Sequence, residues 1–190
     1  AWTVPALRTF YQGLVDEHSI DAFVLVDGGS DSLMRGDEEG LGDPVEDAVS
    51  VATVASLSGL KERLLLSVGL GCDRFAHVSD ASTLRAIAEL TAAQGFCGAV
   101  AFDSQNSGLS FYRDAIEHIY ARQEFRSVLT GCVLSAAEGH FGCREVPPRL
   151  RGRVRPGEAF IWPLMAMVWA FEVEVVARRS LLCPALRELD

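Results

Sequence analysis

Lysine is nearly missing from this chain: Lys61 is the single one among 190 residues, and arginine carries almost all of the positive charge. We read that bias as genomic base composition, with no chemistry attached. A basic excess is missing too, since 26 acids against 17 bases leave a formal charge of -9. Such a surface repels phosphates and argues against nucleic acid as a partner. Paired cysteines are also lacking. Cys72, Cys97, Cys132, Cys143 and Cys183 are odd in number and form no CxxC, which speaks against a disulfide framework or a zinc ribbon and for reduced thiols. The longest apolar run, "AFIWPLMAMVWAF", is too short to span a bilayer, and "AWTVPALRTF" lacks the charged and apolar regions of a leader. A cytoplasmic location with no membrane role is the expectation.

Familiar nucleotide and nucleophile signatures fail as well. "GLGCDR" offers Gly69 and Gly71 but has Arg74 where a dinucleotide fingerprint needs its third glycine, so NAD is not expected. Lys61 follows a helix rather than a glycine loop, and no GxSxG occurs. His140 and Cys143 in "EGHFGC" have no further ligands at defined spacing.

What is present has the pattern of one α/β domain over residues 1–190, with 49% apolar residues. "VPALRTFYQGLVDEH", "DPVEDAVSVATVASLSGL", "SDASTLRAIAELTAAQG" and "SGLSFYRDAIEHIYARQ" read as helices, and "IDAFVLVD", "RLLLSVGLG" and "FCGAVAFD" as strands between them. Helix-length crossovers predict parallel strands buried on both faces, hence a Rossmann-like layered fold with a mainly parallel sheet flanked by helices. Further on, "RSVLTGCVLSAAEGH" reads as a helix. "PPRLRGRVRPGEA" reads as a loop or edge strand, and "WPLMAMVWAFEVEVVARR" as a helix with Leu164, Val168, Phe171 and Val175 on one stripe.

Each of the first three strands ends in an acid: Asp27 with Asp31 beyond it, then Asp73, then Asp103. Loops at the carboxyl edge of an open α/β sheet build its ligand crevice, so these acids are placed on one rim. Such a rim can hold a divalent cation, accept hydrogen bonds from hydroxyls or amines, or supply a general acid and base. Acids in surface loops and helix caps weigh evenly against that reading. Asp27 and Asp31 are the candidate catalytic residues, and Asp27, Asp31 and Asp37 the candidate metal ligands. Gly28, Gly29, Ser30, Asp73, Asp103, Asn106 and Arg149 are candidates for substrate binding. Arg149, Arg151, Arg153 and Arg155 alternate, and an extended backbone would set them on one face as an anion clamp. Pairing with the protein's own acids is the favoured role for them.

The stretch "VLVDGGSDSLMRGDEEGLGDPVEDAVSVATV" resembles the central motif of the domain-of-unknown-function family 1152. The likeness continues through "LSVGLGCDRF", "LTAAQGFCGAVAF", "SAAEGHFG" and "PLMAMVWAFEVEVVARR" and spans most of the chain. It implies an α/β fold of Rossmann-like character and settles no chemistry. It also implies an N-terminal strand and glycine-rich turn beyond which this chain begins, making residues 1–190 the larger, C-terminal part of the family's domain. Cys143 stands where the family suggests Asn or Asp. The expected function is binding of a small polar metabolite, with a divalent cation as the candidate cofactor, by a hydrolase or lyase. The competing expectation is a noncatalytic ligand-binding or assembly subunit. A homo-oligomer or a companion subunit is expected to cover apolar surface, with Trp162 or Trp169 near the contact.

Overall fold

Thr3 caps the first helix, α1 (Val4–His18), its hydroxyl accepting from the Ala6 N–H at 3.4 Å, and Pro5 fills the first turn, where no N–H is needed. The computed structural model describes residues 3–102, 107–124, 126–142, 148–155 and 159–188. Strand β1 (Ala22–Gly28) leads through a single 3-10 turn at Asp31–Leu33 to α2 (Pro44–Val54) and β2 (Glu62–Val68). A second 3-10 turn at Cys72–Ala76 precedes α3 (Asp80–Ala92) and β3 (Phe96–Ala101). Helices α4 (Ser107–Tyr120) and α5 (Val128–Ala137) follow. The chain closes with β4 (Met167–Glu172), α6 (Val173–Arg179) and α7 (Leu182–Arg187).

The sheet order is β1-β2-β4-β3. β1 and β2 are parallel, whereas β4 runs antiparallel to both β2 and β3. The protein is therefore α/β with a mixed sheet, and the expected mainly parallel sheet is corrected: two of its three pairings are antiparallel. The helix expected over "WPLMAMVWAFEVEVVARR" is corrected with it. Pro163–Ala166 makes one 3-10 turn, Met167–Glu172 is a strand, and only Val173–Arg179 is helical. The physical reason lies in the residues themselves. Val168, Trp169 and Phe171 suit a pleated surface, and a gap between β2 and β3 offers a ladder on both sides.

Among the described residues the sheet is buried on one face, and the expected burial on both is corrected. Phe23, Leu25, Leu65, Trp169, Phe171 and Phe96 point into the main core, which α2, α3, α6 and α7 complete. The opposite face carries Val24 and Val26 of β1, Leu64, Leu66 and Val68 of β2, Val168 of β4 and Val100 of β3. None of these belongs to either core cluster. A smaller cluster joins Cys132 and Ala136 of α5 to Leu150, Ile161 and Met165. The arginine row is not extended: Pro148–Leu150 is a 3-10 turn followed by further turns. Among the described residues no helix is long and apolar enough to cross a membrane.

Candidate functional site

β1 and β2 run in register from Ala22 and Glu62 to Gly28 and Val68, so both deliver their following loops to the same edge. After β1 the chain turns inward: Ser30, Ser32, Leu33 and Met34 are all buried. Burying the two leucine-like anchors fixes the loop, and the short polar side chains between them settle into hydrogen bonds. The Ser30 hydroxyl lies 3.1 Å from that of Thr83 on α3, and the Ser32 hydroxyl donates to Asp27 at 2.5 Å. The Ser67 hydroxyl donates to the Gly29 carbonyl.

This loop brings three carboxylates together. Asp27, Asp31 and Asp47 each offer an oxygen, and these oxygens lie within 4.8 Å of one another. Asp47 sits in the first turn of α2, whose start is fixed by Pro44. Asp43, at the N-cap position, makes no side-chain cap. Instead the Asp43 N–H donates to Asp31 at 3.3 Å, so the helix N-terminus faces an acid. Asp73, entering from the turn after β2, accepts from the Ser30 N–H and, at 3.0 Å, from the Ser30 hydroxyl.

Burial first, and like charges after it, shift every one of these groups upward. Burial, then the neighbouring charges of Asp27 and Asp31, pushes Asp47 up to about 8. Burial and the charge of Asp31 take Asp73 to about 6. Asp27 and Asp31 are held above the usual carboxylate range, chiefly by burial. Among the described residues no lysine or arginine forms an ion pair with any of the four. Arg74, next to Asp73, turns away to Asp80 and lies over the rings of Phe160 and Trp162 at 4.7 and 5.2 Å.

The five acids of "VLVDGGSDSLMRGDEEG" thus divide. Asp27 and Asp31 enter the cluster. Asp37 stands apart, half exposed and 3.6 Å from Arg35. Glu38 accepts from the N–H groups of Arg35 and Gly36 at 2.8 Å each and lies 3.8 Å from Arg179, while Glu39 is exposed. The space beside the two glycines is taken from within: a Cβ at Gly28 would meet Leu129 at 3.1 Å, and one at Gly29 would overlap the Asp73 carboxylate. Arg149 pairs with none of these acids and clamps Glu138 through two hydrogen bonds of 2.6 and 2.8 Å, the internal pairing favoured for it. Asp103, Asn106 and Cys143 lie outside the described residues.

Sequence reasoning missed Asp47. It stands one turn into a helix, where an acid reads as an ordinary first-turn residue, and its only signal is its closeness in sequence to the Asp43–Pro44 start. A cavity of about 150 Å3 lies against Asp27, Ser32 and Asp47. Beside it, sharing Glu46 and Ser50, a groove of about 650 Å3 runs between α1 and α2 past Leu7, Phe10 and Val49.

The model of a family described as "Protein of unknown function (DUF1152)" matches residues 4–190. No curated protein and no solved structure matches the chain.

Proposed function

The chain belongs to the DUF1152 family, and from that premise we propose that it binds a divalent cation through Asp27, Asp31 and Asp47 and presents it to a small polar metabolite. The observation that carries the reading is the trio of carboxylate oxygens within 4.8 Å, unaccompanied by any basic partner among the described residues. Hard cations take oxygen ligands at about 2.1 Å for magnesium and 2.3–2.6 Å for calcium. Two ligands on opposite sides of such an ion stand about 4–5 Å apart, which matches this spacing. Three anions gathered without compensation repel one another, and a cation relieves that repulsion directly.

The 150 Å3 cavity suits the ion and the polar end of a ligand, and the neighbouring groove suits the remainder of a small molecule. A bound cation polarises a carbonyl or phosphoryl oxygen, which makes hydrolysis or elimination the reaction class that fits the donor set. Asp73, with a pKa near 6 and a carboxylate held by Ser30, is suited to take or give a proton near neutral pH.

Calorimetric titration of the purified chain with Mg2+, Ca2+ and Mn2+ at pH 8 tests the reading. Saturable binding of one ion, lost in Asp31→Asn and Asp47→Asn while both variants stay folded, is the expected result. Absence of binding by all three ions removes the cation and the chemistry built on it.

A further inference from the structure

Two thiols meet where the turn after β2 packs on α5. Cys72 opens that turn and is 6% exposed, and Cys132 in the middle of α5 is fully buried. Both belong to the smaller core cluster, and both are free. Gly69 shows how closely the pieces approach. A Cβ there would lie 3.2 Å from the Cys72 sulfur, 3.0 Å from Leu129 and 3.1 Å from Val133. Residues 129, 132 and 133 share one face of the helix, so the Cys72 sulfur is set against the face that carries Cys132. The Cys72 thiol donates a hydrogen bond to the Cys132 sulfur, which holds the Cys132 thiol below its ordinary range and raises Cys72.

The turn is anchored on its other side as well. Trp162, expected near a contact surface, packs in the same cluster and donates its indole N–H to the Leu70 carbonyl at 2.7 Å, while Trp169 packs in the main core. The Cys72 N–H donates to the Gly69 carbonyl at 2.9 Å. Backbone fixed on both sides keeps the two sulfurs facing each other.

From this we propose that Cys72 and Cys132 are a reversible disulfide site, which hydrogen peroxide closes and a dithiol reopens, and which when closed ties the turn carrying Asp73 to α5. The thiolate is the nucleophile, and Cys132 ionises first. Its sulfur attacks one peroxide oxygen, the O–O bond breaks, and the departing hydroxide takes up the thiol's proton as water. Cys132 is then a sulfenic acid. The Cys72 sulfur attacks it, the S–S bond forms as the S–O bond breaks, and the leaving hydroxide takes the Cys72 proton as a second water. The two thiols lose two electrons and peroxide gains them. Exchange with a dithiol returns both thiols and leaves that reductant oxidised. Burial of both sulfurs sets the oxidant class, since it admits a molecule of peroxide size more readily than a bulky disulfide. Asp73 follows Cys72 directly, and its carboxylate accepts from the Ser30 N–H and hydroxyl. A covalent tie at residue 72 therefore restrains that carboxylate, whether or not the neighbouring acids hold a cation.

Peptide mapping and intact mass of the full chain after peroxide treatment, with free thiols alkylated in denaturant, test the proposal. Loss of two hydrogens, a cross-link between the Cys72 and Cys132 peptides, and recovery of both thiols with dithiothreitol are expected. Amide exchange across Cys72–Ala76 should slow at least several-fold in the oxidised chain. Oxidised glutathione should form the same bond at least several-fold more slowly than peroxide does. Cys72→Ala should leave Cys132 as a sulfenic acid that dimedone labels, whereas Cys132→Ala should leave Cys72 unlabelled. Mapping of the wild-type chain needs no variant, so the proposal is decided even if both substitutions unfold the protein. Peroxide that leaves both thiols free overturns it, as does a cross-link to Cys97, Cys143 or Cys183 in place of this pair. Unchanged amide exchange in the oxidised chain overturns the tie to α5.

Discussion

Asp47 has the most displaced carboxyl among the four acids, near 8 against an ordinary 3.8. A group whose folded pKa is raised contributes stability that is complete below its unfolded value and is lost as the pH climbs through the folded one. For Asp73 the loss is over by about pH 6, and for Asp47 it extends to about pH 8. Asp47→Asn removes the larger loss, so the variant should be more stable than wild type at pH 8 by about 1–2 kcal/mol and little changed at pH 4. That figure is set well below the full shift because Asp47 keeps solvent contact. Urea melts at the two pH values measure it, and equal stabilities at pH 8 would contradict it. Gly29 makes the opposite case. Its φ of 138° and the Asp73 carboxylate lying where a Cβ would go leave no room for a side chain. Gly29→Ala should cost about 2–3 kcal/mol, read from the denaturation midpoint, and displace the Asp73 carboxylate.

Among elements, β4 joins the two halves of the sheet, and its side chains hold the core on one side and the open face on the other. Phe171 is fully buried and lies 5.4 Å from the Phe96 ring. Phe171→Ala should therefore cost about 3–5 kcal/mol, read from the denaturation midpoint. Val100→Ser, on the open side of the neighbouring strand, should cost under 1 kcal/mol. Comparable losses at the two positions would mean that both faces are covered. The helical stripe Leu164, Val168, Phe171 and Val175 fits this element in sequence because a 3.6-residue spacing can be traced through any run of apolar residues. The same run alternates Val168, Ala170 against Trp169, Phe171, and only a vacant ladder position on both sides decides between the two.

At the scale of the whole molecule, the cation and the pH act on the same charges. Without added ions the melting temperature should fall from pH 5 to pH 8 as the clustered acids ionise. A divalent cation at about 100 times its dissociation constant adds about 2.7 kcal/mol, and its affinity rises with pH because it displaces the proton of its ligand Asp47. The two trends should cross, so that the cation-loaded protein is steadier at pH 8 than the bare one. Thermal melts at pH 5, 6.5 and 8, with Mg2+ or with chelator, separate them. Parallel curves with and without the ion would show that these acids do not share a ligand.

The amino-acid sequence alone placed α1, α3, β1 to β3 and the start of α2, because prolines at helix starts and runs of aliphatic residues act over a few positions, while α2 ends at Val54, short of the Leu60 that the sequence suggests. It also marked Asp27, Asp31 and Asp73, since each follows a strand. Three matters waited for the tertiary structure: the entry of β4 between β2 and β3, the arrival of Asp47 beside Asp27, and the exposure of the valines of β1 and β3. Each depends on partners tens of residues away. A strand's neighbour is set by which ladder is vacant, a carboxylate's pKa by which charges surround it, and a valine's burial by what packs on it. Local pattern carries none of these.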